Sequence, residues 1–204
     1  MEYVTAYFWH PQSNACSLLL QQAEERRGYQ IVLACICEES TSKTDYLIEA
    51  LRDWLCHEVL TGQKNPQKRL RALAKRIPAI ISRAERNKEE TPLCGILCID
   101  RYFCIFAREC GIQIFNTCFG RAHAEEFLFK KEINIQLGEL ESGVGILLSS
   151  SGLRDKTDKQ RTLECLMVQE ILDNSGAERH LKEMCTQAQS EGATNIAAVL
   201  LLSK

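Results

Sequence analysis

From Ile31 to Cys37 the chain reads Ile-Val-Leu-Ala-Cys-Ile-Cys, with no polar residue among them. A strand with one wet face alternates apolar and polar side chains, so an unbroken apolar run of this length marks a strand covered on both faces. Sheets stacked between helices are implied. The flanking sequence supplies both. Glu2 to Trp9 and Cys16 to Leu20 read as short strands. From Lys43 to Leu60 the apolar positions Leu47, Leu51, Leu55 and Val59 recur every four residues, and from Pro66 to Asn87 Leu70, Leu73, Ile77, Ile80 and Ala84 keep a helical spacing. Pro66 suits a first helical turn, whereas Pro78 removes an interior hydrogen bond and predicts a kink or a division of the second helix.

After Thr91-Pro92 the pattern changes to strands at Leu93 to Ile99, Tyr102 to Ala107 and Ile112 to Asn116, joined in the first pair by Asp100-Arg101 and expected to form a meander. Arg121 to Phe129 fits a short helix or loop, Ile133 to Leu137 alternates like a strand, and Gly138 to Gly145 reads as a turn. Val144 to Ser149 is a further buried strand. Helices follow at Lys159 to Leu172 and Ala177 to Ser190, and Ile196 to Leu202 closes the chain as a strand. This order predicts an α+β fold, a four-layer α-β-β-α sandwich of two antiparallel β-sheets flanked by helices.

With 204 residues, a single domain over 1–204 is expected. The 27 acids and 25 Lys and Arg nearly cancel, so no chain-wide field points to nucleic acid or to an anionic membrane. Basic residues concentrate between Lys64 and Arg86, including Lys68, Arg69, Arg71, Lys75, Arg76 and Arg83, and read as a solvated helix face. No apolar run has membrane-spanning length, and Met1-Glu2-Tyr3 does not open a secretory signal, so a cytoplasmic location is expected. Most of the 11 cysteines sit inside apolar runs and behave as small buried hydrophobes with reduced thiols.

The densest motifs lie near the C-terminus. Leu147-Leu148-Ser149-Ser150-Ser151-Gly152-Leu153 ends a strand, two amphipathic helices follow, and Thr194-Asn195-Ile196-Ala197 opens the last strand. In this layout the chain resembles the metal-dependent protein phosphatases of type 2C, in their short bacterial form, over nearly its whole length. That family carries Ser-Asp-Gly at the first point and Asp-Asn-Ile-Thr at the second, so the resemblance implies Asp where Ser151 and Thr194 stand. The family's N-terminal Arg and Asn-Glu-Asp pattern falls at Pro11 to Cys16, where Asn14 stands beside Ala15 and Cys16. Its strand followed by Asp-Gly falls at Ala34 to Ser40, with the Asp at Cys37 or, shifted by one, at Glu38, next to Glu39. Its Gly-Asp-Ser-Arg strand falls near Arg108-Glu109-Cys110-Gly111, where Glu109 keeps a carboxylate.

The resemblance implies a site for two manganese or magnesium ions and a bridging nucleophilic water. Paired divalent cations need several anionic oxygens to repay dehydration, and serine and threonine hydroxyls are weak neutral ligands. The expectation is therefore a pseudophosphatase with no catalytic residues and no cofactor, its vestigial positions being Cys37, Glu38, Glu39, Ser151, Asp155, Thr194 and Asn195. It would bind a protein, a phosphoprotein or another component of a Ser/Thr kinase pathway, and neither nucleic acid nor membrane. The alternative is a residually active Mn- or Mg-dependent phosphatase. Ser150 and Arg154 lie close enough in sequence to join a ligand site. Each of these residues also has a plain structural reading, Thr157 or Asp158 as a helix cap and Asn195 as a tie to the last strand.

Other chemistries leave less trace. Cys35-x-Cys37, Cys94-x₃-Cys98 and Cys16 contain no Cys-x-x-Cys, and the four histidines share no spacing, which argues against zinc. Gly138, Gly143 and Gly145 precede a strand and not a helix, so they form no phosphate loop, and Gly-x-Ser-x-Gly is absent. His123 with Glu125 and Glu126 fits an exposed short helix better than an acid/base cluster.

Overall fold

The computed structural model describes residues 2–10, 16–24, 29–38, 42–59, 65–85, 90–116, 123–128, 132–157 and 173–204. Three strands come first: β1 (Tyr3–Trp9), β2 (Cys16–Glu24) and β3 (Tyr29–Cys37). Helix α1 (Ser42–Trp54) runs into a π turn at Leu55–Val59, and α2 (Pro66–Ala74) and α3 (Ile77–Ala84) follow. Next come β4 (Leu93–Ile99), β5 (Tyr102–Arg108), β6 (Gly111–Asn116), β7 (His123–Leu128), β8 (Asn134–Glu139) and β9 (Val144–Ser149). The C-terminal part holds α4 (Ser151–Arg154), α5 (Asn174–Ser190) and β10 (Ala197–Ser203). The expected helix at Lys159 to Leu172 lies outside the described residues.

The strands form two five-stranded antiparallel sheets, ordered β1-β10-β9-β6-β7 and β2-β3-β4-β5-β8. One buried cluster fills the space between the β3-β4-β5 face and helices α1 to α3, a second lies between the sheets, and a third joins β1, β9 and β10 to α5. This is the α-β-β-α sandwich. The uninterrupted apolar run of β3 follows from it: Ile31, Leu33, Cys35 and Cys37 face the helices, while Val32, Ala34 and Ile36 face the other sheet.

Four local expectations are corrected. The meander holds for β4 and β5, joined through Asp100-Arg101, but β6 leaves that sheet and pairs with β9 and β7. The crossing occurs at Glu109, whose φ of +56° turns the backbone through the left-handed region. Residues 123–128 form strand β7 and neither helix nor loop. Gly138 lies within β8, opposite Phe103, so the turn begins after Glu139. Arg69 is not on a solvated face: it is 1% exposed on the sheet side of α2, next to Leu70. The long second helix is divided at Lys75-Arg76, with Pro78 in the first turn of α3, where no intrahelical donor is lost.

Candidate functional site

The alternation of β3 decides which residue enters the space between the sheets. Cys37, like Cys35, faces the helices, and the two sulfurs lie 4.0 Å apart. The next position faces the opposite way, so Glu38 reaches the cleft at the end of the sheets. Its backbone is fixed by Glu38 N donating to Pro92 O at 3.0 Å. Its carboxylate meets α4 from across the sandwich. Ser151 N donates to Oε1 at 2.5 Å, Ser151 Oγ to Oε2 at 2.6 Å, and Cys110 Sγ to Oε1 at 3.2 Å. Strand register already contained the choice between Cys37 and Glu38; the long-range contact with Cys110 had no local sequence signal.

A second clasp lies behind the first. Ser150 is fully buried, and its N–H donates to Ala197 O at 3.0 Å. Its hydroxyl donates to Asn195 O at 2.5 Å and accepts from Ala197 N at 3.0 Å. Asn195 has φ +57°, a left-handed conformation that asparagine tolerates better than most residues. Gly152 completes the junction, since a Cβ there would lie 1.6 Å from Thr194 O. The two C-terminal motifs picked out in the sequence are thus interlocked through backbone and Ser150.

The remaining predicted positions do not converge on Glu38. Asp155 is exposed and faces Arg154 Nε at 3.7 Å, the Thr194 side chain is exposed, and so is Glu109. Thr157 Oγ1 donates back to Leu153 O at 2.8 Å. Glu39, Asn14, Ala15 and Asp158 lie outside the described residues. His123, Glu125 and Glu126 are on β7, in register with Asn116, Ile114 and Gln113.

The Cys110 thiol favours its neutral form. The Cys110 pKa is raised above the ordinary thiol value of 9.0, first by its hydrogen bond with Cys94, then by burial, and further by the neighbouring Cys94 and Glu38. A thiolate beside a carboxylate in this setting is disfavoured. Among the described residues, no group of three His, Cys, Asp or Glu is arranged to hold a metal ion.

On the other face of the same sheet end, sequence reading missed a buried ion pair. Arg108 NH1 donates to Glu85 Oε2 at 3.0 Å and NH2 to Oε1, while Nε and NH2 donate to Thr91 O at 3.2 and 2.6 Å. Thr91 N completes the set by donating to Glu85 Oε1 at 3.2 Å. The side chains of Arg108 and Glu85 are 4% and 12% exposed. This bidentate pair ties the end of α3 to the end of β5.

The architecture is that of the metal-dependent type 2C serine/threonine phosphatases. Among solved structures, the chain is similar to the serine/threonine phosphatase Stp1 from Staphylococcus aureus, with a TM-score of 0.70 and 11% identity over 100% of this chain and 96% of that one. The serine/threonine phosphatase of S. agalactiae gives 0.69 and 11% over the full length of both chains. PppA, described as a regulatory component of the type VI secretion system in Pseudomonas aeruginosa, gives 0.65 and 12% over 100% and 99%. No protein-family model matches the sequence, and no curated protein does either. At this identity the likeness concerns the fold.

Proposed function

We propose that this chain is a catalytically degenerate type 2C phosphatase-like protein that works in the bacterial cytoplasm by binding a protein. The partner is a phosphoprotein or another component of a Ser/Thr kinase pathway. The observation that carries the reading is the engagement of Glu38. Its two oxygens already accept from Ser151 and Cys110, and the neighbouring donors are hydroxyl, amide and thiol. Two hard divalent cations need several anionic oxygens in one place. The described residues of the cleft do not fit that requirement.

Binding is supported by what surrounds the cleft. Tyr7 and Trp9 are 60% and 46% exposed at the end of β1, where Trp9 pairs with Ala197 and His10 N donates to Ile196 O. Exposed aromatics beside a rigid junction suit a protein contact. The test is hydrolysis of p-nitrophenyl phosphate with and without manganese, alongside calorimetric titration of manganese. We expect turnover at the level of the protein-free blank and no saturable heat. Manganese-dependent turnover that Glu38→Gln removes would overturn the reading in favour of a residually active phosphatase.

A further inference from the structure

On the helical face remote from the cleft, α1 and α3 pack together and enclose a groove of about 530 Å³. That volume falls in the range of small-ligand sites, roughly 300–1,000 Å³. Its apolar part includes Trp54 and Ile80, and Tyr46, Asp53, His57 and Arg83 supply polar groups from the two walls. Three of these groups are chemically unanswered. The indole N–H of Trp54, a side chain 5% exposed, has no hydrogen-bond acceptor among the described residues. A buried indole N–H usually has one. Asp53 on α1 and Arg83 on α3 have no ion-pair or hydrogen-bond partner among the described residues, each other included. The groove wall also contains the π turn, an irregularity frequent at functional sites.

We propose that this groove binds a guanine nucleotide, independently of the cleft between the sheets. A carboxylate offers acceptors only, and the ligand edge that matches it carries two adjacent donors, as guanine does with N1–H and its exocyclic amine. A guanidinium suits a phosphate. Asp53 and Arg83 form no ion pair with each other, so one ligand can present a base edge to the first and a phosphate to the second. Tyr46, an exposed side chain on α1, supplies aromatic surface for the base. Adenine presents only one donor on the corresponding edge, so the same geometry discriminates against it.

The probe is GMP, with AMP and guanosine as comparisons, in calorimetry and in fluorescence excited at 295 nm. The chain has two tryptophans, so Trp9→Phe leaves Trp54 as the reporter. We expect saturable binding of GMP with a change in Trp54 emission, and AMP weaker by about tenfold or more, the value of a lost bidentate contact. Asp53→Asn should erase the preference for guanine, and Arg83→Gln should reduce GMP to the affinity of guanosine. Both side chains are exposed, so unchanged melting and circular dichroism establish that the variants are folded. Absence of saturable GMP binding, equal affinity for AMP, or an unchanged guanine preference in folded Asp53→Asn would each overturn the proposal.

Discussion

Glu85 and Glu38 sit at the same end of one sheet, on its two faces, and are held in opposite ways. Glu85, at the C-terminal end of α3, is met by the guanidinium of Arg108 from the helix-facing side of the sheet. Glu38 faces the other sheet and, among the described residues, is met by neutral donors from Ser151 and Cys110. A carboxylate paired with a buried cation forms a closed structural unit, because neither charge is tolerated without the other. A carboxylate held by hydroxyl, amide and thiol orients the loop that bonds to it. The first arrangement anchors the fold; the second shapes a cleft.

Substitution should separate the two. Arg108→Ala leaves Glu85 buried without its cation and should destabilise the protein by about 3–5 kcal/mol in urea unfolding. Glu38→Ala removes the acceptors for Ser151 and Cys110 and should cost about 1–3 kcal/mol. An equal or larger loss at Glu38 would break the comparison. Of the two carboxylate sites, alkali should act directly on the one that contacts Cys110. The folded-state pKa of Cys110 lies above its ordinary 9.0, so its stabilising contribution is complete below that value. As pH rises further, the unfolded chain releases this proton while the folded one keeps it. Stability then falls, by about 1.4 kcal/mol per pH unit for one such thiol. Cys110→Ala should reduce that slope, and Arg108→Ala should leave it unchanged. Ser151→Ala removes one hydroxyl donor from Glu38 and should cost about 1 kcal/mol. On the proposed reading of an ion-free cleft, chelator treatment should shift the melting temperature by less than about 1 °C, since only a bound ligand stabilises.

The layers were legible because burial on both faces of β3, helical spacing in α1 to α3 and the Ser150 and Asn195 motifs are local patterns. What escaped was set by distance or by a single backbone angle. Gly111 to Asn116 has the composition of a meander strand, and only the left-handed turn at Glu109 sends it to the other sheet. Arg69 looks like its charged neighbours, yet its place on α2 turns it toward the strands. The Glu85 to Arg108 bond joins residues 23 apart, and the Glu38 to Ser151 bond residues 113 apart. No periodicity encodes either pairing.

At Gly152 and Thr194 the two segments beside the cleft meet backbone to backbone, with no room for a side chain between them. Their close approach therefore depends on the missing side chain of Gly152. An aspartate installed at 151, beside Glu38, would be repelled by that carboxylate until an ion arrived. The scaffold is thus suited to conversion into a cation sensor whose stability reads out occupancy.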